Sequence, residues 1–277
     1  MEQNNLQNIR HSLSHVMAAA VLSFYPDAKI AIGPAIDNGF YYDFEFSSPL
    51  GDKDLGKIEQ KMRELLKKNS AFEKKDISVD EAKKLFVDNP YKLELIADIE
   101  KENGTPTIYI SEDFTDLCAG PHVSTTKEIP SGGFKLERIA GAYWRGDEKN
   151  KMLTRIYGLA FENKEALEAY KLQQKEAEKR DHRKLGKELD LFCFSDLVGP
   201  GLPLYTPKGT IIIEELQKHI ESVCRKYGFE KVKTPHMAKR ILFETSGHAA
   251  KFADELFAVT SPKGHEFNLK PVQCPAQ

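Results

Sequence analysis

A long run of charged helix formers, residues 164–188, interrupts the pattern of this chain and limits how it can fold. Its sequence, KEALEAYKLQQKEAEKRDHRKLGKE, carries charges on most sides and has few positions that a core would need. We expect a solvated connecting helix whose basic end, KRDHRKLGK, is available to phosphates. The chain has 277 residues, enough for two domains that each bury a core. We therefore expect a first domain at 1–163 and a second at 189–277.

Helix and strand patterns alternate through the first domain and predict an α+β fold. Apolar residues recur at helical spacing over 7–22, whereas KIAIGPAIDNGFYYDFEF alternates residues around Gly-Pro and Asn-Gly, which is typical of two strands in a tight hairpin. Helices are expected at 55–69 and at 78–86, where Ser78 and Glu81 form a cap. Residues 105–123 read as one strand followed by a loop and a turn, and residues 132–161 read as more strand and loop.

The second domain begins with Pro/Gly loops and continues with a helix that has Ile213, Leu216, Ile220 and Val223 on one face. The chain then stops at PVQCPAQ without a terminating element, so we expect an incomplete domain of low stability. Exposed strand edges and apolar surface are the physical reason for that expectation.

Charge and cysteine content indicate a soluble cytoplasmic protein. Forty basic residues nearly balance 42 acidic ones, so the net charge of -2 gives no general attraction to nucleic acid or to a membrane. The polar start resembles no signal peptide, and no run approaches a membrane span. Cys118, Cys193, Cys224 and Cys274 form no CxxC pair, which favours free thiols in a reducing compartment.

Two spaced pairs of reactive side chains stand out in the first domain. His11 and His15 are four residues apart on the predicted first helix and therefore share a face. Cys118 and His122 flank a Gly-Pro turn in TDLCAGPHV. The four are ligand types that zinc prefers, but imidazoles can also activate water without a metal, and ordinary surface or core histidines are common. Spacing alone does not choose between these alternatives.

Six segments together carry a resemblance to bacterial-type threonyl-tRNA synthetases that runs over essentially the whole chain. In order, they are HSLSHVMAAAV, AIGPAIDNGFYYDF, DLCAGPHV, GAYWRGD, MLTRIYGLAF and KRDHRKLGKELDLF. The two histidine-containing motifs alone would indicate only the wider threonyl/alanyl editing-domain family. The GFYYDF and KRDHRKLG stretches resemble the threonyl type.

The resemblance implies that the first domain hydrolyses serine wrongly esterified to threonine tRNA. It implies His11 and Lys92 near the water, Asp116 and Tyr42 around the substrate, and Cys118 with His122 shaping a pocket that also contains His15. The resemblance therefore implies that the candidate catalytic residues are His11, Lys92 and Asp116. In the alanyl branch of this family the corresponding residues resemble a zinc site, whereas in the threonyl branch they are usually metal-free. Because this chain resembles the threonyl branch, we expect editing to need no cofactor.

The second domain resembles the start of a class II synthetase catalytic domain built on an antiparallel sheet. KYGFEKVKTPHM is similar to its first signature motif, which implies that Pro235 packs across a homodimer interface. LKPVQCPAQ resembles a KPMNCPGH stretch, which implies a zinc ligand at Cys274 in a complete domain. CPAQ departs from that pattern, and later motifs for ATP and Mg²⁺ are not among these residues, so we expect no threonine activation by this chain alone.

The resemblance thus implies a threonine–tRNA ligase that acts on tRNA(Thr) and edits serine, with no membrane partner. A stand-alone Ser-tRNA deacylase that kept a vestigial catalytic fragment is an alternative. A non-catalytic tRNA-binding module is another, although near-neutral charge weakens it because nucleic-acid binding usually needs a basic surplus.

Overall fold

The computed structural model describes residues 2–276, with the side chains of all of these except residues 2–4, 52 and 254. The chain forms two compact units divided between Lys179 and Arg180. That division falls inside the predicted connecting segment. Among the described residues, no helix combines the length and apolar composition that crossing a bilayer requires.

The first unit contains five helices and eight strands. They are, in chain order, α1 (Glu2–Phe24), β1 (Lys29–Ile30), β2 (Ala35–Ile36), β3 (Gly39–Glu45), α2 (Asp52–Lys67), β4 (Glu73–Asp76), α3 (Val79–Leu85), α4 (Pro90–Lys101), β5 (Thr107–Ser111), β6 (Phe114–Leu117), β7 (Phe134–Tyr143), β8 (Met152–Ala160) and α5 (Lys164–Lys179). The mixture of helices with antiparallel sheets confirms the α+β prediction.

A five-stranded antiparallel sheet carries the main core. Its order is β1-β3-β8-β7, with β2 also paired to β3. Period-two alternation in β3 turns Phe40, Tyr42 and Phe44 to one face, where each is fully buried. Helices α1 and α2 pack on that face and bury Met17 and Ile58 completely. The first helix is thereby fixed against the strand that carries Tyr42.

A smaller sheet, β4-β5-β6, places the turn that follows β6 beside α1. Strands β5 and β6 are an antiparallel hairpin in which Tyr109 lies opposite Asp116. Its other face packs on α3 and α4 around Ile96 and Ile108. The capping box predicted for Ser78 and Glu81 is present at the start of α3.

Three of the predicted elements differ in the structure. The first predicted strand of the 29–46 hairpin is split into β1 and β2, which both pair with β3. Residues 105–123 contain two strands rather than one. The predicted single helix over 164–188 is wrong, because Asp181 accepts a hydrogen bond from the backbone N–H of Arg183 and caps a new helix.

The second unit contains one long helix, three short helices and short strands that pair antiparallel. They are α6 (His182–Glu188), β9 (Phe192–Cys193), β10 (Leu204–Tyr205), α7 (Pro207–Lys226), β11 (Met237–Ala238), α8 (Arg240–Thr245), α9 (His248–Lys251), β12 (Ala258–Thr260) and β13 (Glu266–Leu269). Strand β9 pairs with β10, and the other three form a sheet of order β11-β13-β12.

We expect the second unit to unfold at lower urea concentration than the first. Among its described residues only two apolar side chains, Phe243 and Ala249, are buried, whereas Leu216 and Ile220 on α7 are 61% and 59% exposed. So little buried apolar surface gives little stabilisation. The chain's one tryptophan, Trp144, lies in the first unit, so its fluorescence reports that unit alone, whereas far-UV circular dichroism reports helices of both. The dichroism transition should begin first, and coincident transitions would contradict the expectation.

Candidate active site

The two pairs of reactive side chains predicted from the sequence meet in one place. Consecutive turns of α1 carry His11 and His15, and the turn after β6 carries Cys118 and His122. One ring nitrogen from each histidine and the sulfur of Cys118 all lie within 4.8 Å of one another. We call these four residues the histidine–cysteine cluster.

The thiol of Cys118 lies between two imidazoles. Its Sγ is 3.3 Å from Nε2 of His11 and 3.4 Å from Nε2 of His122. The backbone N–H of Gly120 also donates to this sulfur, at 3.2 Å. On the other side of the His11 ring, Nδ1 lies 3.1 Å from the carbonyl oxygen of Pro121. Because a carbonyl oxygen only accepts, Nδ1 of His11 carries a proton, and neutral His11 keeps its lone pair on Nε2.

Behind the cluster lies a buried ion-pair group formed by Tyr42, Lys92 and Asp116, whose side chains are at most 2% exposed. Nζ of Lys92 is 2.5 Å from Oδ1 of Asp116. Oδ1 has no hydrogen bond of good geometry, so charge rather than a directed bond holds this pair. The hydroxyl of Tyr42 donates to Oδ2 of the same carboxylate. His15 links the two halves, since its Nε2 is 3.6 Å from that Oδ2.

Lys92 reaches this position through a helix that the sequence analysis did not predict. Asn89 caps α4 by accepting a hydrogen bond from the backbone N–H of Lys92, and Pro90 occupies the first turn. The dipeptide Asn-Pro before an apolar pattern was the available signal for this helix. The ring of Tyr42 packs directly against Gly33, where any side chain would collide with it.

Aromatic residues that the sequence analysis missed frame His122. The ring of Phe72 stacks on it with centroids 5.3 Å apart, and the ring of Tyr109 meets it edge-on at 4.4 Å. Gly120 adopts a φ of +75°, and any side chain there would strike the hydroxyl of Tyr109. These contacts join residues far apart in sequence, so no local pattern indicates them.

Burial keeps the cluster uncharged at neutral pH. Desolvation lowers the pKa of His122 to about 2, with smaller contributions from His15 and His11, and burial lowers the pKa of His15 well below its usual value. Desolvation also raises the pKa of the Cys118 thiol to about 11. The pKa of His11 falls less, because its hydrogen bond to Pro121 and the charge of Asp116 oppose the effect of burial. Three neutral imidazoles and a neutral thiol therefore lie beside a paired ammonium and carboxylate.

These pKa shifts predict that the first unit loses stability below pH 6.5. The unfolded chain protonates a histidine near its ordinary pKa, whereas folded His15 and His122 stay neutral, so the unfolded state binds more protons as the pH falls. Each such histidine should remove on the order of 2 kcal/mol of unfolding free energy at pH 5 relative to pH 7.5. Urea unfolding followed by Trp144 fluorescence at several pH values measures the loss. His122→Gln should show a smaller loss on acidification, and an unchanged pH dependence in that variant would contradict the assignment.

The partly exposed edge of the site is formed by His11, Cys118 and His122, whereas His15 and the ion-pair group are buried. A ligand entering from solvent therefore meets the first three residues. Neutral imidazoles can accept a proton from water, and the ammonium behind them supplies positive charge. The same four donors also have the types and close spacing that zinc accepts.

Two predicted residues lie outside this site, in the second unit. Pro235 is exposed in a segment without regular secondary structure before β11. Cys274 is exposed in a short 3₁₀ helix, Cys274–Ala276. It does not belong to the single group of potential metal ligands found among the described residues. Their roles at a dimer interface and in zinc binding remain predictions.

Sequence comparison relates part of the site to a known protein family. Residues 107–157, which include β5, β6 and the turn with Cys118 and His122, match the family described as the threonyl and alanyl tRNA synthetase second additional domain. Asp116, Cys118 and His122 lie inside the matched residues, whereas His11, His15, Tyr42 and Lys92 lie outside them.

The chain is also similar to threonine–tRNA ligases along almost its whole length. The ligase of Gloeobacter violaceus is 46% identical over 99% of this chain, and that of Dehalococcoides mccartyi is 48% identical over 98%. The matches cover 45% and 46% of those relatives, so the chain spans about half their length. The predicted resemblance to threonyl-tRNA synthetases is confirmed.

A solved structure gives a shorter match. It is the RNA binding domain of threonyl-tRNA synthetase from Cryptosporidium parvum, 35% identical over 35% of this chain and 24% of that one. The TM-score is 0.33, too low for any conclusion about a shared fold.

Proposed function

We propose that the first domain hydrolyses serine from Ser-tRNA(Thr), and that the whole protein attaches threonine to tRNA(Thr) with ATP. The observation that carries the editing proposal is the convergence of seven predicted residues from separate segments at one site. These residues are His11, His15, Tyr42, Lys92, Asp116, Cys118 and His122.

Editing answers a physical need of a threonine-selecting enzyme. Serine keeps the hydroxyl that such an enzyme must bind and lacks only a methyl group. A missing methylene-sized group changes binding by about 1–3 kcal/mol, so a synthetic site admits serine too often. A second site that accepts serine and excludes threonine by size removes the error.

In the proposed reaction, a water oxygen attacks the ester carbonyl of the seryl group. His11 accepts the water proton at Nε2, the nitrogen that carries the free lone pair, after the substrate displaces the thiol contact of Cys118. The bond from the carbonyl carbon to the ribose oxygen then breaks, and the proton passes to that oxygen. The products are serine and free tRNA(Thr).

The buried ion-pair group acts at a distance in this scheme. Lys92 is 1% exposed and in contact with Asp116, so its ammonium influences the negative charge that develops on the ester oxygen through the field rather than by holding free water. Tyr42 and Asp116 fix the position of His15, and Cys118 with His122 forms the wall that the seryl group meets. Asp116 thereby holds Lys92, Tyr42 and His15 in place through its two carboxylate oxygens.

Editing is proposed to be metal-free, although zinc would fit the donor set. The Nδ1–H of His11 bonds a carbonyl, which leaves Nε2 as the nitrogen that would meet either a water proton or a metal. If zinc is bound, the four residues of the histidine–cysteine cluster would hold it and the metal would polarise water.

For the second domain we propose the start of a class II catalytic domain. A helix, α7, followed by a strand with Pro235 between them agrees with the first signature motif. The complete enzyme would form a homodimer at this motif, hold zinc through Cys274, and use ATP with Mg²⁺ for threonylation. These activities belong to the whole protein and not to this chain alone.

The test is deacylation of Ser-tRNA(Thr) and Thr-tRNA(Thr) by the purified chain, with its metal content measured by mass spectrometry. The proposal expects rapid loss of serine, little loss of threonine, and less than about one tenth of a zinc ion per chain, unaffected by EDTA. Zinc near one per chain would overturn the metal-free part. A folded sample that cleaves neither ester would overturn the editing proposal and leave a tRNA-binding module.

A further inference from the structure

Of the two serines between His11 and His15 on the first helix, Ser12 has a hydroxyl that contacts an imidazole of the site. Ser12 is fully buried. Its Oγ lies 3.1 Å from Nδ1 of His122 and also accepts the backbone N–H of Val123 at 3.1 Å. Ser14, two residues on and equally buried, instead donates to the backbone carbonyls of His11 and Gly33.

The direction of the bond between Ser12 and His122 follows from the acceptors available. Because Val123 already donates to Oγ, one lone pair of the hydroxyl is in use. Among the described residues, the acceptor within hydrogen-bond distance of the hydroxyl proton is Nδ1 of His122. The hydroxyl therefore donates, Nδ1 is the acceptor, and the proton of neutral His122 lies on Nε2.

Once that proton is placed, the protons of the neighbouring contacts follow. Nε2–H of His122 points at the sulfur of Cys118. The thiol proton of Cys118 is then directed to Nε2 of His11, the unprotonated nitrogen of that ring. A single direction of donation runs from Ser12 through both imidazoles to the carbonyl of Pro121.

We infer that Ser12 is a positioning residue that fixes His122 in the tautomer protonated on Nε2, so that of the two imidazoles in contact with Cys118 only His11 presents a free lone pair. Without the hydroxyl, Nδ1 of His122 loses its donor and the ring can take either tautomer. In the second tautomer both imidazoles compete for the thiol proton, and His11 is no longer distinguished as the base. The consequence for catalysis rests on the proposed editing function, whereas the tautomer itself does not.

The tautomer can be read by long-range ¹H–¹⁵N correlation NMR on the chain labelled with ¹⁵N-histidine. Assignment uses His122→Gln, whose spectrum lacks the His122 signals. In the wild type, Nε2 of His122 should carry the proton and Nδ1 should show the shift of an unprotonated, hydrogen-bonded nitrogen. In Ser12→Ala the two nitrogens should move toward averaged values. Ser12→Thr keeps the hydroxyl and should restore the wild-type pattern.

Ser14→Ala is the matched control, because it removes an equally buried hydroxyl from the same helix without touching an imidazole side chain. It should leave the His122 signals unchanged. Each variant is compared by Trp144 fluorescence to establish that the first unit is folded. On Ser-tRNA(Thr), Ser12→Ala should lower kcat about tenfold with KM changed by less than about twofold, since a mispositioned base affects the chemical step.

Two results would overturn the inference. One is a wild-type His122 protonated on Nδ1, and the other is a Ser12→Ala spectrum in which the His122 tautomer is unchanged. If the wild type shows the expected tautomer but does not cleave Ser-tRNA(Thr), the editing proposal fails while the role of Ser12 in setting the tautomer stands.

Discussion

Lys92→Met should destabilise the first unit by about 3–5 kcal/mol, because it leaves the carboxylate of Asp116 buried without its cation. Both side chains of the pair are 2% exposed, so water cannot replace the lost partner. Tyr42 still donates one hydrogen bond to the carboxylate, which offsets only part of the desolvation penalty. Urea unfolding followed by Trp144 fluorescence gives the change in free energy of unfolding.

A double-mutant cycle separates the loss of a partner from the loss of a side chain. Asp116→Asn alone leaves a buried ammonium and should also destabilise strongly, whereas Lys92→Met with Asp116→Asn removes both charges and should recover most of the stability. All three variants should lack deacylation activity, because each changes a residue of the buried ion-pair group. An additive cycle, with the double variant as unstable as the sum of the singles, would show that the two side chains do not depend on each other.

The control for this cycle is an ion pair of similar length on the surface of the same unit. Lys83 and Glu100 are 2.7 Å apart, but their side chains are 41% and 51% exposed. Lys83→Met should change the unfolding free energy by less than about 1 kcal/mol, because water solvates the remaining carboxylate. The contrast between the two lysines measures burial rather than charge.

Local periodicity was sufficient for the part of the site that lies on single elements. Spacing of four residues predicted that His11 and His15 share a helix face, and their ring centroids are 5.4 Å apart on α1. The Gly-Pro turn likewise predicted that Cys118 and His122 lie close together. In both cases the geometry follows from neighbours in sequence.

Contacts between distant segments were beyond any such pattern. Lys92 and Asp116 form an ion pair across different elements, and only the family resemblance grouped them before the structure did. The partner of Ser12 is 110 residues away, and nothing in HSLSH distinguishes its hydroxyl from that of Ser14.

The two units of this chain differ in the kind of side chain that they bury. The candidate site depends on charges and polar groups held inside the first unit, whereas the second unit leaves most of the apolar face of α7 exposed. Burial of the polar groups in the first unit controls the chemistry of the site, because it makes the imidazoles neutral and fixes their protons. An exposed apolar face such as that of α7 is typical of a surface that another part of a protein or a second copy covers.

His11→Ala should reduce the single-turnover rate of Ser-tRNA(Thr) deacylation by about 10²–10⁴-fold, the usual contribution of a positioned general base. His11 is the partly exposed imidazole of the cluster whose free lone pair, on Nε2, lies beside Cys118, because its other nitrogen is committed to Pro121. Its substitution removes no charge, since burial keeps the pKa of His11 below its usual value of 6.5 and the ring is neutral at pH 7.5. Stability at that pH should therefore change far less than in Lys92→Met.

The same assignment fixes the pH dependence of the wild-type rate. A base works in its unprotonated form, so the enzymatic rate, corrected for spontaneous hydrolysis, should be flat from about pH 7 to 8 and should fall below the lowered pKa of His11 as the pH decreases. His265→Ala, which removes an exposed histidine of the second unit, serves as the control and should keep the wild-type rate. If His11→Ala retained more than about a tenth of the rate, the proton would have to pass to another group, and the remaining imidazole with access to the pocket, His122, would become the base to test.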